Sequence, residues 1–499
     1  MVRYSRCFAR VVAFLTIVLV WPSLSRALTD EEIFREFHFN FANPGARALG
    51  MGGAFAAVAD DATAGQANPA GLRYVLTPEF FLEFRAGQQD TSVTRSNLGS
   101  LAVDPGTGGR ELPFLGLTSV SSPEAMREPG FLSFVLPLRR AGAGRRVRIA
   151  GSRQVILSED KALASGSSVT EARFAFDSFP NTVSGSTVEA YSVDSIVSGD
   201  SSMDMVYWNV GGGVDLTPDF SAGLTLTYAT LDLRADTLTE VVDPLQLFLD
   251  PTHPRRPVQP SVDLYRTAID GSDSDVTFTF GIHLHPDSVF ASGVSPWRFG
   301  AVYRKGASFA VSEMTSLNGI PDRTFENRII VPDRYSLAAS YRSPVHWLVS
   351  LEIERVEYSD LMEGFESGVN YLTGEQVAGG AFGIDPNRTV EFTVDDGIIP
   401  RAGVEYILWP GSRGGRRLAL WGGYFRTPDD RIRMSRFNSD DPGVNAVYLE
   451  AFRGGQERNH FTAGVGYTLG RASFQLSGET SSQGHQIVGA CAFKVGRNP

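Results

Sequence analysis

The chain has 499 residues, 42% of them hydrophobic and 52 of them glycine, with a formal charge of −11. That acidic balance argues against nucleic acid as a partner, because phosphate binding rests on clustered Lys and Arg. Two cysteines, Cys7 and Cys491, exclude a disulfide framework and a cysteine metal site.

Residues 1–27 read as a signal peptide. Arg3, Arg6 and Arg10 make a basic start, and Val11 to Val20 is an apolar run too short to span a bilayer. Pro22 breaks it, and Ser25-Arg26-Ala27 offers a small-x-small cleavage site, so the mature chain is expected to begin at Leu28. Cys7 leaves with the leader. Losing Arg3, Arg6, Arg10 and Arg26 from a formal −11 leaves about −15. No cysteine follows the cleavage point, so a lipoprotein anchor is not expected.

Residues 28–76 show no alternation and are expected to lie inside the fold as a plug rather than in its wall. The run from Ala42 through Gly50-Met51-Gly52-Gly53 to Asp60-Asp61, and on to Asn68-Pro69-Ala70-Gly71, is rich in Gly and Ala, which permit close backbone packing.

Residues 77–499 are dominated by segments of about ten residues with period-two alternation. Val276, Phe278, Phe280, Ile282 and Leu284 alternate with Thr277, Thr279, Gly281 and His283. Trp347, Val349, Leu351 and Ile353 alternate with Leu348, Ser350, Glu352 and Glu354; 220–227 and 461–468 repeat the pattern. After the leader, no apolar run is long enough for a transmembrane helix, which leaves a closed antiparallel β-barrel as the way across a membrane.

Short turns at 217–219, 343–344 and 469–471 alternate with long loops near 158–202, 236–274, 359–399 and 427–458. Trp297, Trp347 and Trp409 fall at the short-turn ends of strands, where an interfacial aromatic girdle belongs. Strands are expected near 78–87, 130–138, 146–157, 203–216, 219–235, 274–285, 296–311, 329–342, 345–358, 400–408, 416–426, 459–469, 472–480 and 484–495. That is about fourteen, an even number as such barrels require, with 112–121 assigned to the first outer loop. The last strand carries Phe493 and Val495, then runs on for four residues, so its terminal aromatic is set inward from the usual position.

The glycine-rich opening, Ala59-Asp60-Asp61-Ala62, and Asn68-Pro69-Ala70 before the first strand together resemble the N-terminal hatch of the FadL/TodX family of outer-membrane hydrophobic-compound transporters. Pro332-Asp333-Arg334-Tyr335-Ser336-Leu337, Arg401-Ala402-Gly403-Val404, Gly423-Tyr424-Phe425-Arg426 and 461–467 are similar to later family segments, so the resemblance covers nearly the whole mature chain. It implies a monomeric fourteen-stranded barrel in the bacterial outer membrane, plugged by its N-terminus, taking up fatty acids or aromatic hydrocarbons passively and releasing them sideways. It assigns gating to Asn68, Pro69, Ala70, Asp60 and Asp61. Relatives of this fold also anchor partners in type IX secretion, so a surface anchor without transport is the alternative.

Other chemistry is thin. Gly50-Met51-Gly52-Gly53 lacks the strand–helix context and third glycine of a dinucleotide loop. His283 and His285 share a strand face but have no third metal ligand in the sequence nearby. Asp270 to Asp275 reads as an acidic solvent- or lipopolysaccharide-facing loop without the glutamate of a calcium loop. No Gly-x-Ser-x-Gly elbow is present, so neither enzyme chemistry nor a cofactor is expected.

Alternation places Glu83, Arg85, Arg148, Arg298, Arg304, Glu352, Glu354, Arg401 and Glu405 on the lumen face, where they are expected to pair with one another and with the plug. In the loop 236–273, Val241, Val242, Leu245, Phe248 and Leu249 precede four prolines. The loop reads equally as a lid over the barrel mouth and as a capture site for hydrophobic small molecules, with Leu245, Phe248 and Leu249 as the candidate contacts. Outer-membrane lipid, lipopolysaccharide and the barrel assembly machinery are the other expected partners.

Overall fold

Alternating side chains close the wall. The computed structural model describes residues 39, 41–103, 110–139, 146–164, 194–243, 261–290, 294–317, 319–363, 368–370, 375–377, 390–409, 416–431, 433–437, 454–482 and 484–495. Fourteen antiparallel wall strands form a closed barrel. In chain order they are β1 (Glu79–Val103), β2 (Arg110–Arg139), β3 (Arg146–Ala164), β4 (Asp194–Asp215), β5 (Phe220–Asp243) and β6 (Ser261–Leu284). Next come β7, in two pieces (Trp297–Arg304 and Ser308–Leu317), and β8, also in two (Ile320–Ile330 and Arg334–Arg342). The ring is completed by β9 (Trp347–Val356), β10 (Gly397–Trp409), β11 (Arg416–Thr427), β12 (Arg458–Leu469), β13 (Ala472–Ser481) and β14 (Gly484–Lys494). Strand β14 pairs back onto β1, with Glu79 opposite Lys494 and Phe80 opposite Phe493.

Strand β9 shows how the wall is made. Trp347, Val349, Leu351 and Ile353 point outward, while Leu348, Ser350, Glu352, Glu354 and Val356 are buried within. A one-residue slip would exchange the two sets. Val210, Leu226, Val276, Phe280 and Leu337 continue the outward apolar belt. At the short-turn end, Trp297 packs on Tyr341 at 4.9 Å and Trp347 on Tyr406 at 4.5 Å. The side chain of Trp409 lies outside the described residues.

Three expectations need correction. Residues 112–121 are not loop: Leu112 to Ser121 continue β2, paired with Ser92 to Leu101 of β1. The long hairpin keeps the parity because both halves extend the same two strands. Likewise Asp270 to Asp275 belong to β6, opposite Ala229 to Arg234 of β5.

Finally, the segments 296–311 and 329–342 are not continuous strands. Each breaks, at 305–307 and 331–333. Pro332 has no N–H for a ladder, and a Cβ on Gly306 would lie 1.6 Å from the Val331 carbonyl oxygen.

Candidate functional site

Residues 43–75 run among the inward-facing side chains of the wall, and almost every one is buried. Two short helices, α1 (Ala46–Gly50) and α2 (Ala64–Ala67), and a 3-10 turn (Pro69–Tyr74) supply what regular structure they have. Such short helices have little intrinsic stability, so wall contacts hold them.

Many of those contacts fall on wall glycines. A Cβ on Gly281 would come within 2.2 Å of Asn68 Oδ1, one on Gly223 within 2.3 Å of the Pro69 carbonyl carbon, and one on Gly423 within 2.1 Å of the Gly52 nitrogen. Wall glycines thus let backbone meet backbone. Gly50-Met51-Gly52-Gly53 packs here, with Gly52 and Gly53 at φ of 64° and 74°.

The Asn-Pro-Ala triplet is a junction. Asn68 Nδ2 donates to the carbonyls of Ala56 (2.8 Å) and Ile282 (3.1 Å), and its Oδ1 accepts from the Ala70 amide. Pro69 opens the 3-10 turn, where its missing N–H costs nothing. Ser221 Oγ donates to the Ala70 carbonyl.

The adjacent acids behave differently. Asp60 meets Arg47 at 2.6 Å, Arg342 at 3.0 Å and Arg298 at 3.6 Å. Burial alone would raise its pKa, but these three guanidinium groups hold the carboxyl well below the usual range. Asp61 accepts from the amide and hydroxyl of Thr63, and burial pushes its carboxyl up.

The lumen charges are paired, as expected. Glu354 takes Arg401 at 2.7 Å, with Arg334 at 3.5 Å and Arg304 at 3.8 Å. Glu352 accepts from the amides of Phe55 (2.8 Å) and Ala56 (2.9 Å). Glu405 binds Arg47, Arg417 and the Trp421 indole, Glu83 binds Arg85 and the Gly45 amide, and Arg148 binds Asp215. Arg304 donates to the Ala67 carbonyl at 2.6 Å and to Asn43 at 3.0 Å, joining wall to inner segment.

Toward the long-loop end from this charged layer the barrel interior is a packed apolar cluster. Met205, Leu231, Ile269, Phe309 and Ile329 are among its members, and Phe39 and Phe41, stacked 5.4 Å apart, pack against it. The same two rings touch a second apolar cluster that includes Val356, Tyr358 and Phe425. Arg334 sits 4.3 Å over the Phe41 ring.

Beside this cluster the wall is stitched by side chains. Beyond the Lys305 amide, which donates to the Phe278 carbonyl at 3.0 Å, β7 has no ladder to β6 until Ser312. Instead Asp275 accepts the Ser308 amide at 2.9 Å and Asp273 the Ala310 amide at 2.7 Å. On the other edge, Asp333 accepts the Gly306 amide, Tyr303 Oη and Lys305. A pocket large enough for about one water lies beside this break, lined by Gln66, Tyr207, Gly306 and Val331 among others.

No metal centre emerges at the histidines. His283 Nε2 is bonded to the Ala57 carbonyl at 3.0 Å and His285 Nδ1 to Arg73 at 3.2 Å. Among the described residues one trio of acids, Asp333, Glu357 and Asp360, lies close enough to share an ion, and Asp333 is already engaged. Leu245, Phe248 and Leu249 lie outside the described residues.

The architecture has solved counterparts. A FadL homologue of Pseudomonas aeruginosa aligns over 92% of this chain and 99% of its own at TM-score 0.55 and 12% identity. The toluene transporter TodX of P. putida aligns over 92% and 100% at TM-score 0.50 and 13% identity. The barrel has the FadL-type fold. No family model matches the sequence, and no curated protein matches it either.

Sequence reasoning missed the wall glycines and the carboxylate stitches. Gly223, Gly281 and Gly423 stand on the inward face of strands, which was the available signal.

Proposed function

We propose that this chain is an outer-membrane transporter for passive uptake of hydrophobic compounds such as long-chain fatty acids or hydrocarbons, and not an enzyme. The observation that carries the reading is the apolar cluster within the barrel. It lies inside a barrel with an apolar exterior, toward the long loops, and ends on a charged layer bound to the inner segment. A lumen serving water-soluble solutes would be filled with polar side chains and water instead. FadL-type neighbours, one a toluene transporter, favour the same assignment.

In this reading residues 43–75 are the plug, and the Asn68-Pro69-Ala70 junction and Asp60 hold it shut. The broken wall beside the apolar cluster is the exit, releasing substrate sideways rather than through the charged layer. The mature protein is a monomer with its long loops facing lipopolysaccharide, placed by the barrel assembly machinery. Transfer down a gradient needs no cofactor.

The test is uptake of labelled alkane, toluene and long-chain fatty acid by cells making the protein, against cells lacking it. Faster entry of any of them is expected. Equal entry, with a secreted protein retained at the surface, would establish the anchor reading.

A further inference from the structure

One arc of the short-turn rim is basic, although the chain as a whole carries a formal −11. Its strand ends are neighbours in the ring, where β3, β2, β1, β14, β13, β12 and β11 follow one another. At the β2–β3 end Arg139 stands directly opposite Arg146, and like charges in facing register repel. Arg416 opens β11 opposite Leu469 of β12. Two residues beyond Leu469, the Arg471 carbonyl accepts the Lys494 amide of β14 at 2.9 Å.

Arg416, Arg471 and Lys494 are all exposed. Among the described residues Arg416 and Arg471 have no acidic partner. Lys494 lies 3.9 Å from Glu79, which is itself buried and accepts the Ala62 amide. The opposite arc differs. Its connections at 216–219, 285–296 and 343–346 hold Asp219 and Asp287 and no Lys or Arg.

Apolar side chains alternate with these cations. Leu469, Phe493 and Val495 are 49%, 42% and 55% exposed, and Phe493 meets Phe474 edge-on at 6.4 Å. They carry the outward apolar belt down to the level of the charges. A water-soluble anion would gain from the charges alone. A lipid gains twice, its phosphate against the guanidinium groups and its acyl chains against Leu469 and Phe493.

We propose that this arc, centred on Arg416 and Arg471, is a docking surface for anionic phospholipid of the periplasmic leaflet. A zwitterionic head group offsets its phosphate with its own cation, so it is held less well. Each Lys or Arg beside an anionic lipid surface is worth about fivefold in binding, an effect that salt screens. This inference goes beyond the uptake reading. It rests only on the placement of the barrel in a membrane, so its failure would leave uptake standing.

The test is native mass spectrometry of the full mature chain in detergent, offered equimolar phosphatidylglycerol and phosphatidylcholine with the same acyl chains. The first phosphatidylglycerol should bind about tenfold tighter, and the ratio should shrink in about 1 M ammonium acetate. That comparison needs no variant. Arg416→Gln combined with Arg471→Gln should bring the two lipids within about twofold. Arg234→Gln combined with Arg266→Gln is the control, removing two exposed arginines that face Asp232 and Asp236 toward the long loops. It should keep the preference.

Equal binding of the two lipids by the parent, or a preference kept without Arg416 and Arg471, would overturn the proposal. Loss of the preference in the control as well would reduce it to net charge and overturn the arc. Displacement of the lipid by an equal concentration of glycerol 3-phosphate would leave a plain phosphate site without a lipid partner. Polyglutamate bound by the parent in place of either lipid would give the arc to an acidic protein instead.

Discussion

Arg47 and Asp60 lie thirteen positions apart in the inner segment and meet at 2.6 Å inside the barrel. Each also reaches the wall: Arg47 binds Glu405 of β10, and Asp60 binds Arg342 of β8 and Arg298 of β7. One ion pair therefore ties a single segment to three strands.

Acid should loosen this tie only late. The Asp60 carboxyl is held well below its ordinary value, so its contribution is complete above that value, about pH 4. It disappears only as pH falls through the lowered one. Single-channel conductance in planar bilayers should stay flat from neutral pH to about pH 4 and rise below it. Asp60→Asn should conduct already at neutral pH, because it removes the one negative charge that Arg298 and Arg342 share with Arg47. A closed Asp60→Asn channel would remove Asp60 from the gate.

The Asn68-Pro69-Ala70 junction should matter to closure and not to the wall. Replacing Asn68 and Pro69 by alanine deletes the bonds to Ala56, Ile282 and Ala70, each worth about 1 kcal/mol net. The doubly substituted barrel should keep its heat-dependent shift on SDS gels while its conductance rises. An unchanged trace would show that the triplet takes no part in gating.

The wall glycines permit a steric test. A side chain at Gly423 would collide with the Gly52 nitrogen at 2.1 Å, whereas a Cβ at Gly489 meets nothing within 4 Å. Gly423→Leu should leave residues 43–75 open to protease in a barrel that still assembles, and Gly489→Ala should behave like the parent. Equal protection in both would mean that the inner segment does not depend on this contact.

Most of the wall could be read from sequence because period-two alternation is a direct consequence of the pleat. Trp347, Val349, Leu351 and Ile353 are outward for that reason alone. The breaks in β7 and β8 went unread although Gly306 and Pro332 stand in them. Alternation on either side carried the strands straight through, and a lone Gly or Pro does not say whether a strand bulges or parts. The stitching acids were misplaced for a related reason. Asp270 to Asp275 are polar enough for a loop, and only the register opposite β5 makes them strand.

Those acids give the last test. Asp275 substitutes for a backbone carbonyl in accepting the Ser308 amide at 2.9 Å, just where β6 and β7 have no ladder. Asp275→Ala leaves that half-buried amide without its acceptor, a loss of about 1–1.5 kcal/mol. Because the neighbouring ladders from Thr279 to Leu284 and from Tyr265 to Asp270 are independent of it, the opening should be local. Hydrogen exchange at Ser308 and Ala310 should accelerate by about tenfold or more, with exchange at Phe280 and Ile282 unchanged. If this seam is the exit, transfer of a labelled hydrocarbon into the surrounding bilayer should speed up in the same variant. Faster exchange without faster transfer would keep the stitch and place the exit elsewhere. Unchanged exchange would show that the Asp275 carboxylate does not hold the wall together.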